Sequence, residues 1–456
     1  MTKKRILYIS SRPPYHSAGL AEDGMKVFKR MGYDVDFLTL YPFIGQKKNQ
    51  FSVLSRPLSL TFRQLRERYP WLASLRKLYH TFVYRFLSSS KDVPDLVVRD
   101  NILIPCENEQ IPPVPIEKIL KKIQRHYDYI VTLVWQDMIT AATLQAVYTK
   151  TKAPIICCVV DQYPYTGNCY YPSYCKEYRN ECVNCPVFEN KRNPHQAHQN
   201  YLFKKKVYSS IPCRFTANSY VKQFILETGI VTEEQIVLKS FMLDTDIFKP
   251  LSVSKCRLDL SINGKKEFVI LMRYIDPTSI GGSRKGIPNA FEAIHHFSST
   301  LDQDQKERVL LLLIGDDQIE GDLLNKTDVD ILNLGRVNQE YLIKAYNAAS
   351  VFLSPTLDDA GPSMVNQAMA CGTPVVSFEI GTALDVVQTG KTGFMAKLAD
   401  NKDFASGISS IYKLSESEYL KMRVNARNMA LEMNSIQSAE KVYEKVFNEL
   451  EASRNV

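Results

Sequence analysis

Short apolar runs closed by Gly, Pro or Asp recur along the chain in two successive series, with amphipathic stretches between them, and this alternation narrows the fold more than any single motif. The runs are apolar throughout, the pattern of parallel strands buried on both faces. In the first series, residues 6–10 read as a strand, a loop holding Gly19 follows, an amphipathic helix covers 21–31, Gly32 stops it, and 35–40 form a second strand. Later strands are expected at 129–133, 154–160 and 214–218. The second series opens at 268–272 and continues through 310–315, 330–334, 351–354 and 375–378. A chain of 456 residues is long enough for two such units. Asp244 to Pro250, with the polar residues that follow as far as Lys266, reads as the hinge. The expectation is an α/β protein with one Rossmann-like domain over 1–250 and a second over 251–435. Ligands would then bind in a cleft at the carboxyl ends of both sheets.

Composition sets outer bounds. Hydrophobic residues make up 45% and charged residues 23%, ample for two cores. The chain opens on a short strand rather than on a basic start, apolar run and small-residue cleavage site. No stretch approaches bilayer-spanning length, so the expected location is the cytoplasm. Ten cysteines in that setting point to thiols or metal rather than disulfides. The formal charge of +8 suits attraction to phosphates or to an anionic membrane surface. No clustered basic reading element is present, so nucleic acid is not an expected partner. Residues 63–87 mix basic and aromatic side chains at helical spacing, with Lys204, Lys205 and Lys206 available to extend the patch. That pattern suits a helix lying on the inner face of the cell membrane, where a lipid-linked acceptor would be met. It suits equally a helix packed on its own domain with a solvated basic face.

The stretch from Pro355 to Val376 carries the most chemistry. Asp359 precedes Gln367 by eight positions, and Gly361, Pro362 and Ser363 read as a turn and helix start. Backbone N–H groups there would face an anionic ligand such as a diphosphate. Cys371, Gly372, Thr373 and Pro374 end the helix, and a strand resumes at Val375. Asp359 and Gln367 are otherwise a helix cap and a polar helix residue.

This segment resembles the donor-binding signature of the retaining glycosyltransferases of family four, which have the two-domain GT-B fold. Their pattern is a Glu, seven residues and a second Glu; here Asp359 and Gln367 keep the spacing and change both side chains. The resemblance implies that Asp359 touches the sugar of a nucleotide diphosphate donor and that Gln367, uncharged, bonds a ribose hydroxyl. It also implies that the last helix, about 436–450 within the segment 436–456, crosses back onto the first domain. Ser283, Arg284, Lys285 and Gly286 match the family's Lys-Gly, which assigns Lys285 to the diphosphate, and Arg273 matches its second basic residue. Such cations offset the negative charge that builds on the leaving group. Gly381 stands where the family has a glycine pair, and Gly19 is what remains of the glycine-rich loop on the acceptor side. The family's histidine before an Asp is Val160 here, leaving Asp161 as the nearest polar group. No Asp-x-Asp motif stands at a strand end, so catalysis independent of a divalent cation is expected.

Cys169, Cys175, Cys182 and Cys185 fall within seventeen residues. The spacing can wrap a tetrahedral Zn²⁺, with iron–sulfur binding or free thiols as alternatives. Thr166, Gly167 and Asn168 before Cys169 are similar to an insert carried by a subset of these transferases, here over 166–188. The remaining cysteines, Cys106, Cys157, Cys158, Cys213, Cys256 and Cys371, read as small core residues. The implied activity is retaining, hexosyltransferase-like transfer of a sugar to a glycan or lipid-linked acceptor in bacterial surface polysaccharide synthesis. Open beside it are a nucleotide-sugar-binding protein without transfer and a zinc-dependent interaction module.

Overall fold

The computed structural model describes residues 3–13, 19–42, 46–54, 97–99, 102–104, 108–189, 192–239, 241–279, 281–324 and 326–452. The basic, aromatic stretch 63–87 and Cys106 lie outside them. Fifteen strands are present among these residues. The first sheet contains β1 (Arg5–Ser10), β2 (Asp34–Thr39), β3 (Gln50–Ser52), β6 (Tyr129–Thr132), β7 (Ile155–Cys158), β8 (Cys213–Ala217) and β9 (Ile236–Leu238). Their order is β3-β2-β1-β6-β7-β8-β9, every neighbour parallel. Between β3 and β6 in sequence, β4 (Val97–Arg99) and β5 (Ile102–Ile104) form a separate antiparallel pair. The second sheet holds β10 (Phe268–Tyr274), β11 (Val309–Gly315), β12 (Asp330–Asn333), β13 (Val351–Ser354), β14 (Val375–Phe378) and β15 (Gly393–Ala396). Its order is β12-β11-β10-β13-β14-β15, again all parallel. In both sheets the strand order reverses beside the first strand, the place where doubly wound sheets leave a crevice for ligands.

Each sheet is buried on both faces because successive side chains point to opposite sides. In β1, Leu7 and Ile9 enter one core and Ile6 and Tyr8 the other. In β10, Val269 and Leu271 face one core, and Ile270, Met272 and Tyr274 face the other. This two-sided burial is why the strands read as unbroken apolar runs.

The helix Glu416–Asn434 packs on the second domain through Met422, Ala426 and Ala430. The helix Ile436–Ala452 then lays Ile436, Ala439, Tyr443, Val446, Phe447 and Leu450 into the core that holds Ile6, Tyr8 and Phe37. The Phe447 ring stacks on Tyr129 with centroids 4.1 Å apart. Each large side chain buried this way contributes roughly 1.5–3 kcal/mol, so the crossing helix is a substantial clamp.

Two expectations are corrected. The run 154–160 pairs as a strand only over Ile155–Cys158, because Val160 and Asp161 have left the sheet to line the cleft. The polar hinge contains the helix Val253–Asp259, capped by Ser252, and it buries Phe248, Cys256, Leu260 and Ile262 in the second core. Four apolar anchors make this stretch part of the second domain's packing.

Candidate active site

A cleft of about 740 Å³ opens between the two sheets, at the carboxyl ends of β6, β7, β10, β11 and β13. Arg273, next to last in β10, projects from an otherwise buried strand into it. Lys285 comes from the tight turn Ser283–Lys285, which ends on Gly286 at a φ of 63°. A Cβ at Gly286 would stand 1.9 Å from the Pro355 carbonyl oxygen, so no side chain fits where this turn meets the loop after β13. That close approach brings Arg284 and Lys285 to Asp359.

Arg284 Nη1 donates to Asp359 Oδ2 at 2.9 Å, the Lys285 ammonium donates to the same oxygen, and the Gly361 N–H donates to Oδ1 at 3.0 Å. Arg284 also bonds the Asp358 carbonyl at 2.9 Å, and its guanidinium lies 3.8 Å from the centre of the Tyr171 ring. Burial works to raise the Asp359 carboxyl, but the Lys285 and Arg284 charges and the Gly361 bond hold it well below the usual carboxylate range. Burial pushes the Lys285 ammonium down, against the pull of Asp359. Asp359 is 7% exposed and its oxygens are committed to protein donors, so its charge reaches a ligand chiefly through the two cations it anchors.

Beyond Asp359, Gly361, Pro362 and Ser363 line the cleft and lead into the helix Ser363–Ala370, whose first turn has no side-chain cap. Its N-terminal amides and the positive end of its dipole are turned to the same space as Lys285 and Arg273. Gln367 lines the cleft from within this helix while its Oε1 accepts the Tyr346 hydroxyl at 3.0 Å. Gly381 has a φ of 58° and stands behind the turn: a Cβ there would meet Gly361 Cα at 3.0 Å and Pro362 Cδ at 3.1 Å. It supports the loop that lines the cleft and is not itself among the lining residues. Gly19 caps the helix Leu20–Arg30 in a left-handed conformation, and the cleft is reached by Leu20 instead.

The first domain's side is mostly apolar, built from Leu20, Val134, Val160 and Tyr171, with Gln136 and Asp161 as polar members. Asp161 Oδ1 accepts the Tyr163 N–H at 3.0 Å. Burial lifts its carboxyl to about 7; the Tyr163 bond and the charges of Lys204 and Arg284 oppose the rise, and Asp359 adds to it. The neighbouring Asp358 is raised to about 6, chiefly by burial, and accepts from Gln162 Nε2 at 3.3 Å.

Two residues that reasoning from sequence passed over complete this arrangement. Arg284 sat beside Lys285 in the same motif, and the paired basic residues were the signal for it. Tyr171 had no such signal, because only the folded insert carries it across to Arg284.

The structure gathers Cys169, Cys175, Cys182 and Cys185 around one small void, beside Pro172, Glu177 and Tyr178. Burial raises all four thiols, Cys182 to about 12, and the Gly167 N–H donates to Cys182 Sγ at 3.2 Å. Among the described residues no group of three or more His, Cys, Asp or Glu is arranged to hold a metal ion. This arrangement does not support the expectation of zinc; the four sulfurs pack together under the loop that presents Tyr171. Cys157, Cys158, Cys213, Cys256 and Cys371 are buried core residues. No helix among the described residues is long and apolar enough to cross a membrane.

Residues 279–429 match the family model described as Glycosyl transferases group 1. The sulfoquinovosyl transferase SQD2 of Arabidopsis thaliana is 27% identical over 192 residues, 41% of this chain and 35% of that protein. An uncharacterized glycosyltransferase of Methanocaldococcus jannaschii is 25% identical over 233 residues, 48% of this chain and 56% of that one. The chain thus spans between about a third and somewhat over half of the length of these relatives. Among solved structures, sucrose-phosphate synthase from Thermosynechococcus elongatus superposes with a TM-score of 0.61 at 15% identity, covering 99% of this chain and all of that one. HepE of Anabaena, in complex with UDP and glucose, gives 0.60 at 14% identity, covering 98% and 100%. Residues 279–429 are thus similar to the group 1 glycosyl transferase model, within a chain whose whole course follows the GT-B fold of these solved structures.

Proposed function

We propose that the protein is a glycosyltransferase that takes a sugar from a nucleotide diphosphate donor, with residues 1–250 binding the acceptor and 251–435 the donor. The observation that carries this reading is the charge arrangement in the cleft. The second domain's wall of the cleft presents Arg273, Lys285 and Arg336 against Asp316 and Asp359, a surplus of one positive charge, with Arg284 bonded to Asp359 beside them and an uncapped helix N-terminus close by. That surplus complements a diphosphate, and it strengthens as the leaving group gains charge. Lys285, with Arg273, would hold the diphosphate, Asp359 would fix the cations and order the loop facing the sugar, and Gln367 would bond the ribose. Neighbours described in complexes with UDP and with UDP-glucose support this class of donor. Retention of configuration, independence from divalent metal, a glycan or lipid-linked acceptor and a place in surface polysaccharide synthesis at the inner membrane face follow from the resemblance and belong to the same proposal.

The test is thermal stabilisation of the purified protein by UDP-, GDP-, ADP- and dTDP-sugars. A donor at a hundredfold over its Kd stabilises by about 2.7 kcal/mol. One nucleotide class is expected to shift the wild type and to lose its effect in Lys285→Ala; a panel without any shift overturns the proposal. Gln367→Glu separates a binding protein from an enzyme: transfer that appears only in this variant would make the natural chain a binder.

A further inference from the structure

The loop after β13 belongs to the second domain in sequence but is seated in the first. Ala360 is fully buried in the core that holds Leu7 and Ile9, and its carbonyl accepts Asn218 Nδ2 at 2.7 Å. Gln162 Nε2 donates to Asp358 Oδ1 in the same loop at 3.3 Å. Tyr171 covers the guanidinium of Arg284, which bonds both the Asp358 carbonyl and the Asp359 carboxylate at 2.9 Å. The segment that carries Tyr171 is itself tied down. The Gln162 N–H donates to the Tyr170 carbonyl at 2.9 Å, and Thr166 Oγ1 donates to the Cys169 carbonyl at 2.8 Å while accepting the Cys169 N–H at 3.1 Å. The buried Lys204 ammonium holds the Tyr163 and Thr166 carbonyls at 2.6 and 3.1 Å. A ring fixed in this way is preorganised for the cation it covers.

Resting on the transferase reading above, we infer that Tyr171 is a positioning residue for the donor diphosphate, acting from the opposite domain through Arg284. Arg284 and Lys285 donate to the same oxygen of Asp359, so they compete for one charge. The face of the Tyr171 ring carries partial negative charge, which attracts the guanidinium and keeps it on Asp359. Arg284 thereby takes up part of the carboxylate's charge. The Lys285 ammonium, with three donors, then keeps some of them for a diphosphate in the cleft that it lines. Without the ring Arg284 loses that attraction, Asp359 draws more strongly on Lys285, and the diphosphate is bound less tightly. Burial and the charge of Asp359 raise the Tyr171 hydroxyl, so the contact is with a neutral ring face and not with a phenolate. The effect needs an aromatic face and no hydroxyl, a requirement that phenylalanine meets and an aliphatic side chain does not.

The experiment measures the Kd of UDP, GDP, ADP and dTDP for the full chain by titration calorimetry. Neither sugar nor acceptor is present, so a ring that served only to touch those groups would register no effect. For the diphosphate that binds, Tyr171→Leu is expected to raise Kd about tenfold, and Tyr171→Phe to stay within about twofold of wild type. Lys285→Ala combined with Tyr171→Leu should bind no more weakly than Lys285→Ala alone, because the ring acts through that ammonium. A Tyr171→Leu protein within about twofold of wild type overturns the assignment, and so does a Tyr171→Phe protein as weak as Tyr171→Leu, which would mark a role for the hydroxyl. Additive losses in the double variant overturn it as well. If Tyr171→Leu does not fold, Tyr171→Met takes its place under the same criteria. A wild type that binds none of these diphosphates overturns the transferase reading and this assignment together, whereas binding that ignores Tyr171 overturns this assignment alone.

Discussion

Each side of the cleft buries a carboxylate, and the two end in opposite ionisation ranges. Asp359, on the second domain, is held far below the ordinary carboxylate value, and Asp161, on the first, is lifted to about 7. Both are almost fully excluded from water, at 7% and 5% exposure, so burial alone does not separate them. What separates them is contact: Asp359 touches two cations and an amide, whereas Asp161 touches one amide and feels cations already engaged elsewhere. A buried carboxylate in direct contact with cations organises its site, and one without them keeps its proton to higher pH. Two sheets with the same strand order thus present chemically different faces to one cleft.

The comparison can be broken or sharpened by substitution. The largest effect is expected from Asp359→Ala, which leaves Arg284 and Lys285 buried without their counter-charge; urea unfolding should show a loss of about 3–5 kcal/mol, and donor stabilisation should disappear. A loss below about 1 kcal/mol would mean the cations do not depend on Asp359. Next is Gly286→Ala, which puts a Cβ against the Pro355 carbonyl in a left-handed conformation. Strain and overpacking together predict roughly 2–4 kcal/mol, with weaker donor binding as Lys285 is displaced. Lys285→Ala should leave the fold nearly as stable, since Arg284 still offsets Asp359, while donor Kd rises about 10- to 100-fold, the equivalent of ~1.5–3 kcal/mol for a charged hydrogen bond. Arg273, more exposed, should matter less: Arg273→Ala is expected to weaken the donor by about tenfold or less, with an effect that shrinks in high salt.

A last comparison concerns stability against pH. The folded Asp161 carboxyl titrates above the ordinary value of 3.8, so it adds stability in its protonated form, fully present below that value and lost as pH rises through about 7. Asp161→Asn should therefore flatten the wild-type decline in stability between about pH 4 and 7. An unchanged slope would show that another group sets it.

Much of this was legible beforehand, for reasons that can be named. The strands were readable because two-sided burial demands unbroken apolar runs, and β13 and β14 fell where those runs lie. Asp359, Gly361, Pro362, Ser363, Gln367, Lys285, Arg273 and Asp161 all come to one cleft because each sits at or just beyond the carboxyl end of a parallel strand or opens the following helix. Arg284 was obscured by Lys285, since a doublet does not announce which member turns inward, and here both do. Gly381 does not line the cleft: a left-handed glycine reads the same in sequence whether it faces a cavity or supports the loop that does. The four cysteines show the limit most clearly, because spacing admits a metal, while among the described residues the folded chain does not arrange three or more of them as metal ligands.

The amino-acid sequence by itself determined the alternation of buried strands and amphipathic helices, the order of the motifs and the residue types available at each strand end, since these depend on local periodicity and turn chemistry. Tertiary structure decided which cations close on Asp359, that Tyr171 of the insert lies against Arg284, and that Asp161 is buried at the cleft wall without an ion pair among the described residues. Ionisation in a buried site is set by neighbours that arrive from elements far apart along the chain, and those neighbours meet only when the two sheets face each other.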